Sequence, residues 1–418
     1  MANTPNIRFK GFTDDWEQHE LCDIYGKIRN AFVGTASPYY VENGHFYLES
    51  NNVKDGHINH NNEVFINDEF YEKQRDNWLH TGDIVMVQSG HVGHSAVIPE
   101  ELNNTAAHAL IIISNPQTEI DPYFLNAEFQ TPLKKKNIDI ITKGNTIKHI
   151  LASDMKEFEV SLPNIREQRD ISAFFRILDK ILIIHQRRLE DLKNFKKVML
   201  QKMFPSDGES IPEIRFFGFS DAWEQRKLLD CIQKITDFRG RTPKKLGMDW
   251  SEEGYLALSA LNVKDGYIDF NQDIHYGNQE LYDKWMTGNE LHKGQVLFTT
   301  EAPMGNVAQV PDNRRYILSQ RVIALDVKDN LLTENFLATV LRTPTVFAYL
   351  TALSSGGTAK GVSQKSLSSV EIRLPKNLKE QEKIADTFSN LDHIITLHQH
   401  KYENLLKMKK YLLQQMFC

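Results

Sequence analysis

From Ile171 to Met203, apolar side chains return every four and three residues: Ile171, Phe175, Leu178, Leu182, Leu189, Leu192, Met199 and Met203, with His185 and Lys196 filling two slots of the same stripe. A second stretch repeats the pattern with Ile384, Phe388, Leu391, Ile395, Tyr402, Leu405, Leu412 and Met416, and His398 and Lys409 fill the matching slots. Such a 4-3 spacing predicts one long amphipathic helix in each place. Each follows a Leu-Pro pair, and no Pro or Gly interrupts it before Phe204 or Phe417. About 38 residues at 1.5 Å each would make a rod of roughly 57 Å. A single helix of that length cannot bury its own stripe, and the equally long partner in this chain is the other copy. A pseudo-two-fold relation between the copies predicts an antiparallel pair, a coiled-coil spacer. His185 and His398 are expected to set its register rather than bind metal, because no further ligand stands at metal spacing on that face. Lys196 and Lys409 are expected to snorkel out of the seam.

The repetition extends beyond the helices. IRFKGFTDDWEQ from Ile7 returns as IRFFGFSDAWEQ from Ile214, NVKDGHI from Asn52 as NVKDGYI from Asn262, and LHTGDIV from Leu79 as LHKGQVL from Leu291. GNTIKH from Gly144 aligns with GGTAKG from Gly356, and the offset drifts only from 207 to 213 along the chain. This is a tandem duplication of a whole unit, too long to be a solenoid repeat. Residues 26–50 and 100–142 share little with their counterparts, which suggests one scaffold carrying two specificities.

Between the repeated markers, Phe46–Ser50, Asp83–Ser89 and Ala109–Ser114 read as strands closed by Gly, Asn or Pro turns. Pro122–Lys136 reads as a helix, with Thr333–Leu350 as its counterpart. The expected fold is therefore two mixed α/β globular domains and two long helices. The boundaries fall at 1–162 and 206–375 for the globular domains, and at 163–205 and 376–418 for the helical spacers.

Composition bounds the function without naming it. The chain has 418 residues, 41% hydrophobic and 25% charged, with a net charge of −6. That is an ordinary globular balance, and with no apolar run near 18 residues and no signal-peptide start a cytoplasmic location is expected. Cys22, Cys231 and Cys418 do not map onto one another through the repeat, so they predict neither a disulfide framework nor a zinc site. Positive charge is concentrated locally, at Lys134, Lys135, Lys136, Lys143 and Lys148, and again at Arg239, Arg241, Lys244 and Lys245. The chain holds no Walker lysine loop, GxGxxG after a strand, HExxH or GxSxG, nor the Asn/Asp-Pro-Pro-Tyr/Phe tetrapeptide of amino-methyltransferases. No catalytic chemistry is expected of it alone.

Two variable domains, each ending in a Gly-Thr loop, a Leu-Pro and a long helix led by Glu-Gln, resemble the specificity subunit of a type I restriction-modification enzyme. The markers are Gly356-Gly357-Thr358 with Leu374-Pro375 and Glu380-Gln381, and Gly144-Asn145-Thr146 with Leu162-Pro163 and Glu167-Gln168, where Asn145 departs from the usual loop. The resemblance implies two target recognition domains, each reading half of a split double-stranded DNA target. It also implies that the paired helices set the gap and dock two DNA adenine methyltransferase subunits, with motor-nuclease restriction subunits added. S-adenosylmethionine, ATP and magnesium would belong to those partners, with no cofactor or metal in this chain.

Half-sites about one helical turn apart need a separation of roughly 34 Å, within reach of such a spacer, and unlike halves predict an asymmetric target. Lys and Arg would contact phosphates, while Asn, Gln, Ser, Thr and Arg would reach base edges. The leading DNA-binding candidates are Lys143, Asn145, Thr146, Lys148 and His149 in half one, and Thr358, Lys360, Gln364 and Lys365 in half two. Lys134, Lys135 and Lys136 support the first set; Arg239, Arg241, Lys244 and Lys245 support the second. The rival expectation is a protein-interaction scaffold with two α/β binding domains on a coiled coil, which would not need basic loops in both halves.

Overall fold

In the computed structural model, which describes residues 4–144, 148–354 and 361–418, the chain forms two compact units. One comprises residues 1–186 with 400–418, and the other residues 187–399, so each takes part of both long helices, Ile165–Lys202 and Leu378–Gln415.

The core of the first unit is an antiparallel sheet in the order Tyr25–Asn30, Leu110–Pro116, Ile84–Val87, Ser95–Val97. The second unit repeats it as Ile232–Asp237, Val322–Val327, Val296–Thr299, Val307–Gln309. Both central strands are apolar without alternation because both faces are covered. Ile111 and Ile113 enter the cluster that holds Phe175, Leu178 and Phe417, whereas Leu110 and Ile112 enter a second cluster with Leu48 and Ile98. Ile323 and Leu325, against Val322 and Ala324, divide in the same way.

The repeated WEQ segments anchor each unit. Trp16 meets Phe124 and Phe417 edge-on, with centroids 5.6 and 6.0 Å away, and Trp223 meets Phe336 and Phe204 at 5.8 and 5.7 Å. Strand Glu17–Glu20 pairs with Glu159–Leu162, and Glu224–Lys227 with Glu371–Leu374. The Arg of each IRF motif forks onto the Glu that starts a long helix: Arg8 onto the wholly buried Glu167 at 2.6 and 2.7 Å, Arg215 onto Glu380 at 2.7 and 2.9 Å. The adjoining Gln168 and Gln381 donate to the Pro163 and Pro375 carbonyls at 2.8 and 2.9 Å, which closes the Leu-Pro turn.

Within the first unit Phe175 lies 5.9 Å from Phe417 and Gln186 bonds Tyr402, so the two helical segments run antiparallel there. Within the second, Phe204 lies 6.2 Å from Phe388 while Lys196 meets Asp392, again antiparallel. His185 and His398 are half-buried. The two lysines of the stripe do not snorkel. Lys409 turns in to Asp179 at 2.6 Å and to Gln130 at 3.0 Å, and Lys196 to Asp392 at 2.7 Å and Asp265 at 3.2 Å. A carboxylate on the facing helix gives each of these largely buried ammonium groups a partner in place of water.

Arg342, only 8% exposed, joins the second group by forking onto Asp392 and meeting Asp265; Gln130 holds the equivalent place in the first. Asp265 belongs to the repeated NVKDG turn, whose Gly266 and Gly56 have φ +88° and +92°. A Cβ at Gly266 would sit 2.7 Å from the Arg342 guanidinium, and at Gly56 2.2 Å from the Gln130 amide. Positive φ and close approach together require glycine there. The buried Asn52 and Asn262 hold the turn: each Oδ1 accepts from a backbone amide, of Glu49 and Ser259, at 3.1 and 2.8 Å.

The helix expected over Pro122–Lys136 is two, Pro122–Phe129 and Pro132–Ile141, and its counterpart is Glu334–Val340 and Pro344–Leu353. Thr131 and Thr343 cap the second helix of each pair, and the following proline occupies the first turn, where its missing N–H costs nothing.

Candidate nucleic-acid interface

In the first unit the Lys143 and His149 backbones exchange hydrogen bonds at 2.8 Å, closing the chain around the 144–148 loop. Asn145 and Thr146 lie outside the described residues. The loop base is stitched to the turn after strand Ile84–Val87: Gly90 donates to the Lys148 carbonyl at 3.1 Å and Ile150 to Gln88 at 3.0 Å. Lys143 and Lys148 are exposed and face Asp154 and Asp139 at 3.1 and 4.0 Å. Exposed pairs of this kind contribute little to folding, so both ammonium groups can exchange their carboxylates for phosphates. Lys135 and Lys136 are exposed on the neighbouring helix, and Lys135 borders a cleft with Gly93 and His94. Burial pushes His94 below the ordinary histidine range against the pull of Asp55, whose backbone amide donates to His94 Nδ1 at 3.2 Å.

Lys134 leaves the candidate set. Its side chain is 5% exposed, held at 3.1 Å from the buried Glu128 and donating to the Glu159 carbonyl at 2.7 Å. Burial raises the Glu128 carboxyl, opposed by Lys134, so this pair is an internal brace with no free charge.

In the second unit Gln364 opens a short helix capped by Ser363 and donates to Asp237 at 3.1 Å. Asp237 also takes the Arg239 guanidinium at 2.6 and 2.8 Å, so three polar side chains meet at one exposed edge. Lys244, Lys245 and Lys365 are exposed, Lys245 donating to the Gly240 carbonyl at 2.7 Å. Arg241 is instead bound to its own domain, stacked over Phe238 at 4.3 Å and donating to the Trp285 carbonyl. Thr358 and Lys360 lie outside the described residues. Glu301, which bridges Gly361, and Arg321, 2.9 Å from Glu301, also belong to this edge. No composition cue marks them, and only the 212-residue offset that sets them against Ser89 and Ala109 could have drawn attention to them.

Among the described residues one group brings a ring nitrogen and two carboxylates within 4.8 Å, His292 with Asp326 and Glu334. His292 is bonded to Glu334 at 2.8 Å, and Asp326 accepts from Gln295 at 2.6 Å, which makes it a surface ion-pair cluster as it stands.

In both halves the same strand turn is thus bridged at the same place, Ser89 by His149 and Glu301 by Gly361, with different exposed polar groups beside it. The sequence matches the type I restriction modification DNA specificity domain twice, over residues 13–194 and 220–407. The chain belongs to that family. The MjaX and MjaVIII type I restriction enzyme specificity subunits of Methanocaldococcus jannaschii are 24% and 21% identical over 416 and 412 residues, in each case 95% of this chain and 91% of the relative. The EcoBI specificity subunit of Escherichia coli is 24% identical over 196 residues, 46% of this chain and 41% of its own. In fold, this specificity-family chain is similar to the S subunit of a type I restriction-modification system from M. genitalium, with a TM-score of 0.66 at 14% identity and 99% of each chain covered. A chain from a solved type I restriction-modification assembly gives 0.51 at 16% identity, covering 96% of this chain and 97% of its own.

Proposed function

We propose that this chain is the non-catalytic address-reading subunit of a type I restriction-modification complex, each unit reading one half of a split, asymmetric DNA target. The observation that carries this is the repeated loop edge: one backbone arrangement, with Lys143, Lys148 and His149 in one half and Gln364, Asp237 and Arg239 in the other. Phosphate contacts from the lysines would supply affinity, and the amide, imidazole and guanidinium groups would supply sequence.

Docking of two DNA adenine methyltransferase subunits, and of restriction subunits beyond them, is supported by a second apolar stripe on the long helices. Ile184, Val198, Leu397 and Tyr411 are 64, 43, 55 and 56% exposed, and they recur at the 213-residue offset as Ile184 with Leu397 and Val198 with Tyr411. Exposed apolar rows of this kind mark interaction surfaces. S-adenosylmethionine, ATP and magnesium belong to those partners in this reading. Among the described residues no single helix is long and apolar enough to cross a membrane; a cytoplasmic site of action is part of this proposal.

The test is to co-express the chain with its methyltransferase subunit in a methylation-free host and map methylated adenines by single-molecule sequencing. One split, asymmetric motif is expected. Unmethylated DNA from an assembled complex carrying S-adenosylmethionine would sink the reading.

A further inference from the structure

The two halves share a three-stranded junction at the loop edge whose backbone is repeated and whose side chains are not. In half one Ser89 bridges His149, and the Ile150 amide donates to the Gln88 carbonyl at 3.0 Å. In half two Glu301 bridges Gly361, and the Val362 amide donates to the Thr300 carbonyl at 2.9 Å. A third segment enters beside it with a residue in the left-handed region, Ala109 with φ +53° just before Leu110, which pairs with Val87, and Arg321 with φ +69° just before Val322, which pairs with Thr299. In half two the Arg321 carbonyl accepts from both the Thr300 amide at 2.8 Å and its hydroxyl at 3.2 Å. Left-handed backbone at a residue with a side chain persists only where the surroundings impose it, and here both halves impose it at the same place. The scaffold is therefore common, while the three facing positions carry Ser89, Ala109 and His149 in one half and Glu301, Arg321 and Gly361 in the other.

We propose that Arg321, steadied by Glu301, is a specificity-determining residue of half two and reads one G·C base pair. The proposal rests on the DNA-reading role argued above. The left-handed turn fixes the root of the Arg321 side chain, and the ion pair through Nε, 2.9 Å from Glu301, orients its plane. Both side chains are exposed, 56% and 40%, so the pair adds little to folding and is free to meet a ligand. A guanidinium fork matches the O6 and N7 acceptors of guanine, and a carboxylate accepts from the cytosine N4 amine, so the couple is complementary to both members of one pair. Ala109 and Ser89 offer neither group, so half one reads its bases by other means.

The experiment maps methylation by the complex containing R321A, R321K or the unaltered chain, and measures binding to duplexes varied one base pair at a time. The unaltered complex should require G·C at one position of one half-site. R321A should lose that requirement, with discrimination falling on the order of 10- to 100-fold at that position alone. R321K keeps the charge but not the planar fork, and should relax the same position. An unaltered motif in R321A, or binding lost equally for every duplex in both variants, would overturn the inference and leave Arg321 as a phosphate contact or a surface ion pair. Failure of the unaltered complex to methylate any motif would instead bring down the parent reading.

Discussion

Single residues decide which charges are available to a ligand. Lys134, Lys135 and Lys136 look alike in sequence, yet Lys134 stands four residues before the buried Ile138 on one helix and points inward to Glu128. Helical spacing already carried that distinction; what it could not show was an acid waiting there. Arg8 and Arg215 make the same point for the repeated IRF motifs, whose meaning appears only when each guanidinium reaches a glutamate about 160 residues away. R8A should lower the stability of the first unit by about 3 kcal/mol, since it leaves a buried carboxylate unpaired; urea unfolding followed by Trp16 fluorescence reads the effect.

His108 offers a pH test. The Glu49 carboxylate raises its imidazole above the ordinary histidine range, and the His108 contact in turn holds Glu49 below the ordinary carboxylate range. A raised histidine contributes stability that is full below its unfolded value and is lost as pH rises through the folded value. The depressed carboxylate loses its contribution as pH falls through its own. The pair therefore favours folding most at about pH 5 to 6. H108Q should cost about 1 kcal/mol there and progressively less toward pH 8, and a gap that widens with pH would contradict the assignment.

Elements were legible where a period runs long. Ile165–Lys202 and Leu378–Gln415 are the two helices that the 4-3 stripe predicts; strand Ile84–Val87 stands inside the expected 83–89, and Leu110–Pro116 begins inside the expected 109–114 and runs two residues past it. The break at Thr131-Pro132 does not show in the hydrophobic period, although a threonine cap and a first-turn proline stand in both copies. The polar slots at 196 and 409 are visible in the sequence but these partners are not, because Asp265 of the NVKDG turn reaches Lys196, and Gln130 reaches Lys409, only in the folded unit. R342Q should convert the second group toward the first and leave Asp265 and Asp392 sharing Lys196. A loss of about 2 kcal/mol in the second unit is expected, with D265N in the same chain restoring part of it. Equal stability of R342Q and the unaltered protein would mean that the charges merely coexist.

At the scale of the whole molecule the duplication was plain in the sequence, but the units were not. The linear segments end where the helices begin, whereas the folded units divide each helix between them, because Leu413, Met416 and Phe417 complete the core built around Trp16 and Phe124. Removing residues 400–418 should leave the second unit folded and the first loosened, with protease sensitivity rising in residues 1–186 alone. Simultaneous loss of both units would contradict the division. The same arrangement has a consequence for synthesis. Residues 187–399 are contiguous and can fold as they leave the ribosome, but the first-made half must wait for residues 400–418 to emerge. The half that is translated first is therefore the half that is finished last.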